Sequence, residues 1–306
     1  MLAVFCFIMT KRIIYQIQGA GVTWTWKSKK SNSSSTFSKE EIIAVQQKAV
    51  GTAVVKEVKK KAKKSYAPQL YDLTSLQQEA NKKYGFSAKQ TLNYMQSLYE
   101  HHKVVTYPRT DARYLTTDIV DTLPERVKAC RMGEYAAVCG KILKTSIQGN
   151  KSFIDNSKVS DHHAIIPTEQ SVRLQELEYG ERKIYELVVS RFLAVLLPPC
   201  EYEQTEVIAE CGGELFTVKG KRIVKPGFQE VYQGEFSEED DDTENIGFGK
   251  ESKAGTQTLP AFEKGQKIIF SNGRIKEGAT KPPQPFTDVI HFESRQWKYS
   301  KCKGAG

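Results

Sequence analysis

At 306 residues the chain is long enough for two domains, each burying its own core, and its 39% apolar and 26% charged residues are ordinary for a soluble globular protein. Lys and Arg number 45 against 36 Asp and Glu, and the resulting formal charge of +9 suits a polyanionic partner such as nucleic acid, although charge alone fits any basic soluble protein equally well. Six cysteines (Cys6, Cys130, Cys139, Cys200, Cys211, Cys302) form no C-x-x-C pair, which argues against a zinc ribbon and a disulfide framework and points to a reducing cytoplasm.

The apolar start, Leu2 to Met9, is too short to span a bilayer, and no other segment is long enough, so no membrane partner is expected. Val22 to Trp26 reads as a strand, followed by a Ser/Lys-rich turn. Lys39 to Val50 has helical composition with Ile42, Val45 and Val50 as its apolar points, and Val54, Val55 and Val58 suggest a strand running into the lysines at 59–64. Such a run is most often a solvated edge or linker. Thr74-x-x-Gln77 and Ser87-x-x-Gln90 match capping boxes, the first opening a helix that ends near Tyr84-Gly85, the second a helix with Leu92, Met95 and Tyr99 on one face. Two helices joined by Gly85-Phe86 resemble a helix-turn-helix. Helical stretches follow over Thr117 to Val127, broken at Pro124, and over Glu134 to Lys144. Gly180 to Leu197 shows the strongest helical pattern, stopped by Pro198-Pro199. The character then turns to β. Glu201 to Glu210, a Cys211-Gly212-Gly213 turn and Leu215 to Val218 read as one hairpin; Lys267 to Phe270, Asn272-Gly273 and Arg274 to Lys276 read as a second. Between them the acidic run Glu238 to Asp242 reads as solvated surface.

Two short stretches could carry chemistry. In Tyr107-Pro108-Arg109 proline favours an extended residue before it, and side chains two apart in an extended chain share a face, so a phenol would stand beside a permanent cation. That pair suits attack on a phosphodiester: the guanidinium favours the phenolate and neutralises phosphate oxygens. Asp111 could orient Arg109. Spacing alone favours a plainer reading, a tyrosine in a turn beside an Arg109–Asp111 ion pair, because short motifs recur by chance. In Asp161-His162-His163-Ala164 an extended chain would send the two histidines to opposite faces, so only one would reach a given site. That one could contact phosphate, join further metal ligands, or simply bond to backbone.

Together these stretches resemble a known family. Tyr71 to Gln77, Gly85 to Leu92, Thr106-Tyr107-Pro108-Arg109-Thr110-Asp111-Ala112-Arg113-Tyr114-Leu115, Asp161 to Thr168 and Thr280 to Thr287 occur in the order and spacing of type IA DNA topoisomerases, most closely the bacterial topoisomerase III branch. The resemblance covers roughly residues 36–288. It implies an α+β fold: a mainly helical, tyrosine-bearing domain at 68–198 with a helix-turn-helix-like core, flanked by antiparallel β segments of the topoisomerase arch at 36–67 and 199–288. Residues 1–35 are left unassigned and 289–306 form an atypical tail. By this likeness Tyr107 is the nucleophile that cuts one strand of single-stranded DNA and becomes linked to its 5′ phosphate, Arg109 stabilises that phosphate, and His162 positions it. Thr110, Asp111, Arg113, Lys89 and Lys103 are the candidate DNA contacts.

Three departures qualify the likeness. Ala112 stands where the family commonly has serine. Nothing before residue 36 resembles the Toprim domain that holds Mg²⁺, so the cofactor's ligands are expected outside this chain, on a separate Toprim-bearing polypeptide. The tail after Asp288 looks unrelated, and both ends read as a truncated or frame-shifted coding sequence. The chain alone is therefore expected to relax DNA poorly or not at all. The competing readings are a DNA-binding remnant without catalysis and a helix-turn-helix binding module.

Overall fold

The structure, a computed structural model, describes residues 11–232 and 259–279. The acidic run at 238–242, the motif at 280–287 and the tail at 289–306 lie outside the described residues, as do Cys6 and Cys302. The described residues divide into two compact units, one made of 11–64, 201–225 and 259–279, the other of 65–200 and 226–232.

The first unit is a closed antiparallel barrel in the order β1-β2-β5-β4-β3-β6. Its strands are β1 (Lys11–Gly19), β2 (Val22–Lys27), β3 (Gly51–Ser65), β4 (Cys200–Cys211), β5 (Glu214–Lys225) and β6 (Lys267–Ala279). Alternation explains the closure, since every second residue faces one core. Ile13, Tyr15 and Ile17 of β1 and Val22, Trp24 and Trp26 of β2 turn inward to meet Val207, Ala209, Phe216, Val218, Ile268 and Phe270. Trp24 anchors this core. Its ring meets Phe262 edge-on at 5.4 Å, and its indole N–H donates to the Gly19 carbonyl at 3.0 Å, so the largest apolar side chain brings no unpaired donor inside. The helix α1 (Lys39–Lys48) adds Ile42 and Val45 to the same core. Val50, expected with them, falls beyond the helix end and is exposed.

The lysine run is not a linker. It continues β3, with exposed side chains, and its members pair with carboxylates: Lys59 with Glu57 at 2.9 Å and Lys64 with Glu201 at 2.9 Å. The first expected hairpin is present, with Cys211 opposite Glu214 and positive φ at Gly212 and Gly213 (55° and 79°), as a two-residue turn of this hand requires. The second is not. β6 runs straight through Asn272-Gly273, which form a bulge against β1: the pairs Gln16–Arg274 and Gln18–Ser271 leave two residues facing one. Asn272 supplies the positive φ of 52°, and Gly273 is needed because a Cβ there would lie 2.1 Å from the Tyr15 hydroxyl. The strand β1, which the composition of the first residues did not suggest, is the partner that makes this a bulge.

The second unit is mainly helical. It contains α2 (Leu73–Tyr84), α3 (Ala88–Glu100), α4 (Leu123–Ala129), α5 (Ala136–Leu143) and α6 (Tyr179–Val195), with 3₁₀ turns between them. The break at Pro124 is real: residues 117–122 form a 3₁₀ turn and Pro124 sits in the first turn of α4, where its missing N–H costs nothing. α6 is buried nearly all round and packs on α3 and α2. On α3 the Ser87–Gln90 capping box forms as expected, but the buried stripe is Thr91, Met95 and Leu98, while Tyr99 is partly exposed. The box at the start of α2 lies two residues earlier than expected. Asp72 caps the helix and Ser75 returns the bond, whereas Gln77 donates to the Ala88 carbonyl at 3.0 Å and so ties α2 to the start of α3. Gly85 ends α2 in the left-handed conformation, φ 72°.

The four described cysteines are buried and form no disulfide among the described residues. No described helix is long and apolar enough to cross a membrane.

Candidate active site

Three of the sequence motifs meet in the helical unit through backbone pairing. The Ile165 amide donates to the Tyr71 carbonyl at 2.8 Å, Thr106 N–H to Ile166 at 2.9 Å, Ala164 N–H to Tyr114 at 3.0 Å and Thr168 N–H to Val104 at 3.0 Å. Leu73 N–H reaches the Thr110 carbonyl at 3.1 Å. Residues far apart in sequence are thus stitched side by side, with Ala164, Ile165, Ile166 and Pro167 buried beneath them. The Thr106 hydroxyl donates to the Ala164 carbonyl at 3.2 Å and accepts from the Ile166 amide at 3.0 Å, adding side-chain bonds to the same seam.

Above this seam lies an open cavity of about 400 Å³, whose walls include Tyr107, Asp118, Asp161, His162 and His163. The half-buried Tyr107 ring stacks on His162, centroids 4.2 Å apart and planes tilted by 34°, and meets Tyr99 edge-on at 5.7 Å. Its hydroxyl has no hydrogen-bond partner among the described residues.

The chain bends at Pro108 and Arg109, so the two-residue alternation of an extended segment does not hold there. Pro108 is buried and Tyr107 faces the cavity; Arg109 is exposed and does not belong to the cavity wall. Nor does Arg109 pair with Asp111 among the described residues, and both remain exposed. A second bend, through 160–162, lets both histidines line one cavity, contrary to the expectation from an extended chain. His162 is exposed. His163 is half-buried, its Nδ1 lies 2.8 Å from the Ala164 carbonyl, and burial lowers its pKa below the ordinary 6.5, with the Arg126 guanidinium acting in the same direction.

The candidate DNA contacts separate in the fold. Thr110, expected to meet DNA, is buried: its hydroxyl donates to the His162 carbonyl at 2.9 Å and accepts from the Ala112 amide at 3.1 Å, so it joins the two motifs instead. Arg113 pairs with Asp72 at 2.8 Å across the N-terminus of α2. Lys89 and Lys103 are exposed; Lys103 has a φ of 56°, and its carbonyl accepts from the Thr168 hydroxyl at 2.7 Å. Tyr99 and Asp118 were not foreseen. Tyr99 could have been suspected as an aromatic residue left off the buried stripe of α3, whereas nothing in the sequence marks Asp118. Among the described residues no group of three or more His, Cys, Asp or Glu could hold a metal ion.

The model of the DNA topoisomerase family matches residues 9–289. The chain belongs to the type IA DNA topoisomerases. Its relatives place it in the topoisomerase III branch: it is 48% identical to DNA topoisomerase 3 of Bacillus licheniformis over 269 residues, 88% of this chain and 36% of the relative. DNA topoisomerase 3 of Bacillus subtilis is 47% identical over 277 residues, 90% of this chain and 37% of the relative. This topoisomerase chain therefore spans little more than a third of the length of these relatives. The family match begins at residue 9, so it takes in β1 and β2, ahead of the start near residue 36 that the motifs suggested. Full-length topoisomerase I from Thermotoga maritima shares the fold, with a TM-score of 0.67 at 23% identity over 95% of this chain and 45% of that one.

Proposed function

We propose that this chain is the strand-cutting portion of a type IA topoisomerase acting on single-stranded DNA. The observation that carries this reading is the cavity in which Tyr107 stacks on His162. The Tyr107 oxygen attacks a backbone phosphorus; a phosphorus–oxygen bond forms to tyrosine as the bond to the 3′ oxygen breaks, and that oxygen leaves with a proton. The 5′-phosphotyrosine conserves the energy of the phosphodiester, so the reverse attack by the 3′ hydroxyl rejoins the strand after another has passed. Arg109, exposed and two residues from the nucleophile, neutralises the phosphate charge that builds in the transition state, and His162 holds the Tyr107 ring and the phosphate in register. The helical unit is then the tyrosine-bearing domain and the barrel belongs to the arch. Mg²⁺ and its ligands would lie in a Toprim domain outside the described residues.

The experiment is adduct formation. Single-stranded oligonucleotide labelled at its 3′ end is incubated with the chain, a separately supplied Toprim polypeptide and Mg²⁺, and a denaturant-stable complex is sought. Tyr107→Phe is expected to abolish the complex while leaving oligonucleotide affinity within about twofold, since one hydroxyl is removed from a large contact. Binding without any adduct under all conditions would leave a DNA-binding remnant and refute the catalytic reading.

A further inference from the structure

The cavity beside Tyr107 has a charge that a phosphate would avoid. Asp118 and Asp161 line it, and no Lys or Arg does. Bonding to Thr116 and to backbone keeps the Asp118 carboxyl below its ordinary 3.8, so it is ionised at neutral pH. A phosphate oxygen placed there would meet two like charges with no Lys or Arg in the wall to offset them. His163, also in the wall, adds a further acceptor. The Ala164 carbonyl can only accept, so Nδ1 of His163 carries the ring proton and Nε2 of the neutral ring carries a lone pair. The wall is therefore rich in acceptors, and it includes the stacked rings of Tyr107 and His162. Hydrogen-bond acceptors beside an aromatic surface suit a nucleobase: the π-face stacks, and an exocyclic amine donates to carboxylate. A volume of about 400 Å³ has room for one.

We infer that this cavity is a base subsite, taking the nucleobase next to the attacked phosphodiester and preferring one that carries an exocyclic amino group. The inference rests on the reading that Tyr107 engages a single strand. It places base selection, not phosphate binding, on Asp118, Asp161 and His163, and leaves the phosphodiester to Tyr107, His162 and Arg109.

The test measures binding of the whole chain, by fluorescence anisotropy, to two labelled twelve-nucleotide thymidine strands. One carries a single central adenine; the other carries unsubstituted purine, which lacks only the amino group. The adenine strand is expected to bind about three- to tenfold more tightly, the scale of one good carboxylate–amine bond. In the double variant Asp118→Asn, Asp161→Asn that ratio is expected to fall to near one. Both residues are exposed, so the substitutions leave the core untouched. Equal wild-type affinities would overturn the subsite. So would a variant that tightens on both strands with the ratio preserved, because only general charge repulsion would then have been removed. Failure to bind either strand at low salt would instead bring down the single-strand reading on which the subsite stands.

Discussion

The Tyr107 ring is held by other rings, with Tyr99 edge-on and His162 stacked on it. Edge-to-face pairs contribute about 0.5–1.5 kcal/mol beyond burial, enough to bias a rotamer but not to fix the fold. Tyr99→Ala is expected to slow adduct formation about tenfold with oligonucleotide affinity unchanged, while Tyr99→Phe keeps both; parallel loss of affinity and rate in the alanine variant would count against a positioning role. Thr110 acts through hydrogen bonds instead. Thr110→Val keeps the shape but leaves the His162 carbonyl and the Ala112 amide without their partner, which should cost about 1–3 kcal/mol and lower the urea midpoint. A pH effect arises elsewhere in the helical unit, where Glu79 meets Arg191, Tyr71 and Lys83. Burial by itself would raise the Glu79 pKa, but those partners outweigh it, Arg191 foremost, and hold it below the ordinary 4.5. A depressed carboxylate contributes stability that is fully present above the unfolded value and is lost as pH falls through the folded one. Urea unfolding between pH 6 and pH 3 should therefore show a steeper acid loss in the wild type than in Glu79→Gln, which starts weaker because Arg191 keeps a buried charge without its carboxylate.

At the scale of elements, the start of α2 carries more than a helix. Asp72 caps it and also holds Arg113, so one carboxylate links the helix to the Tyr107 motif. Asp72→Ala is expected to cost about 1–2 kcal/mol from the cap alone, and to free the Arg113 side chain. Thermal unfolding compared with Arg113→Ala separates the two parts, because only the aspartate variant loses the cap. The same helix marks how far local pattern reaches. That a helix begins near residue 73 is legible from a cluster of capping residues, but Thr74 and Gln77 fit the motif as well as Asp72 and Ser75 do. Gln77 was unavailable because α3 uses it through the Ala88 carbonyl, a contact made only after the two helices fold together. Asn272-Gly273 carries the parallel lesson in β structure. A turn and a bulge need the same positive φ, and pairing with β1 decides which one forms.

For the whole molecule, the surplus of +9 charges predicts that binding to a single strand weakens with salt. Each phosphate neutralised contributes about 0.7 to the slope of log affinity against log salt, so a slope of several units is expected between 50 and 200 mM salt. A flat profile would mean that the basic residues are spent on internal pairs such as those of Lys59 and Lys64. The order and spacing of motifs determined the family and singled out Tyr107 and His162, because those signals are local runs of residue type. The helices and most strands were also legible, since burial on one face imposes a period of its own. Barrel closure, the bends that bring both histidines to one cavity, the burial of Thr110 and the acidic lining around Asp118 belonged to tertiary structure alone. Each depends on which distant segment supplies the hydrogen-bond partner, and chain periodicity carries no record of that choice.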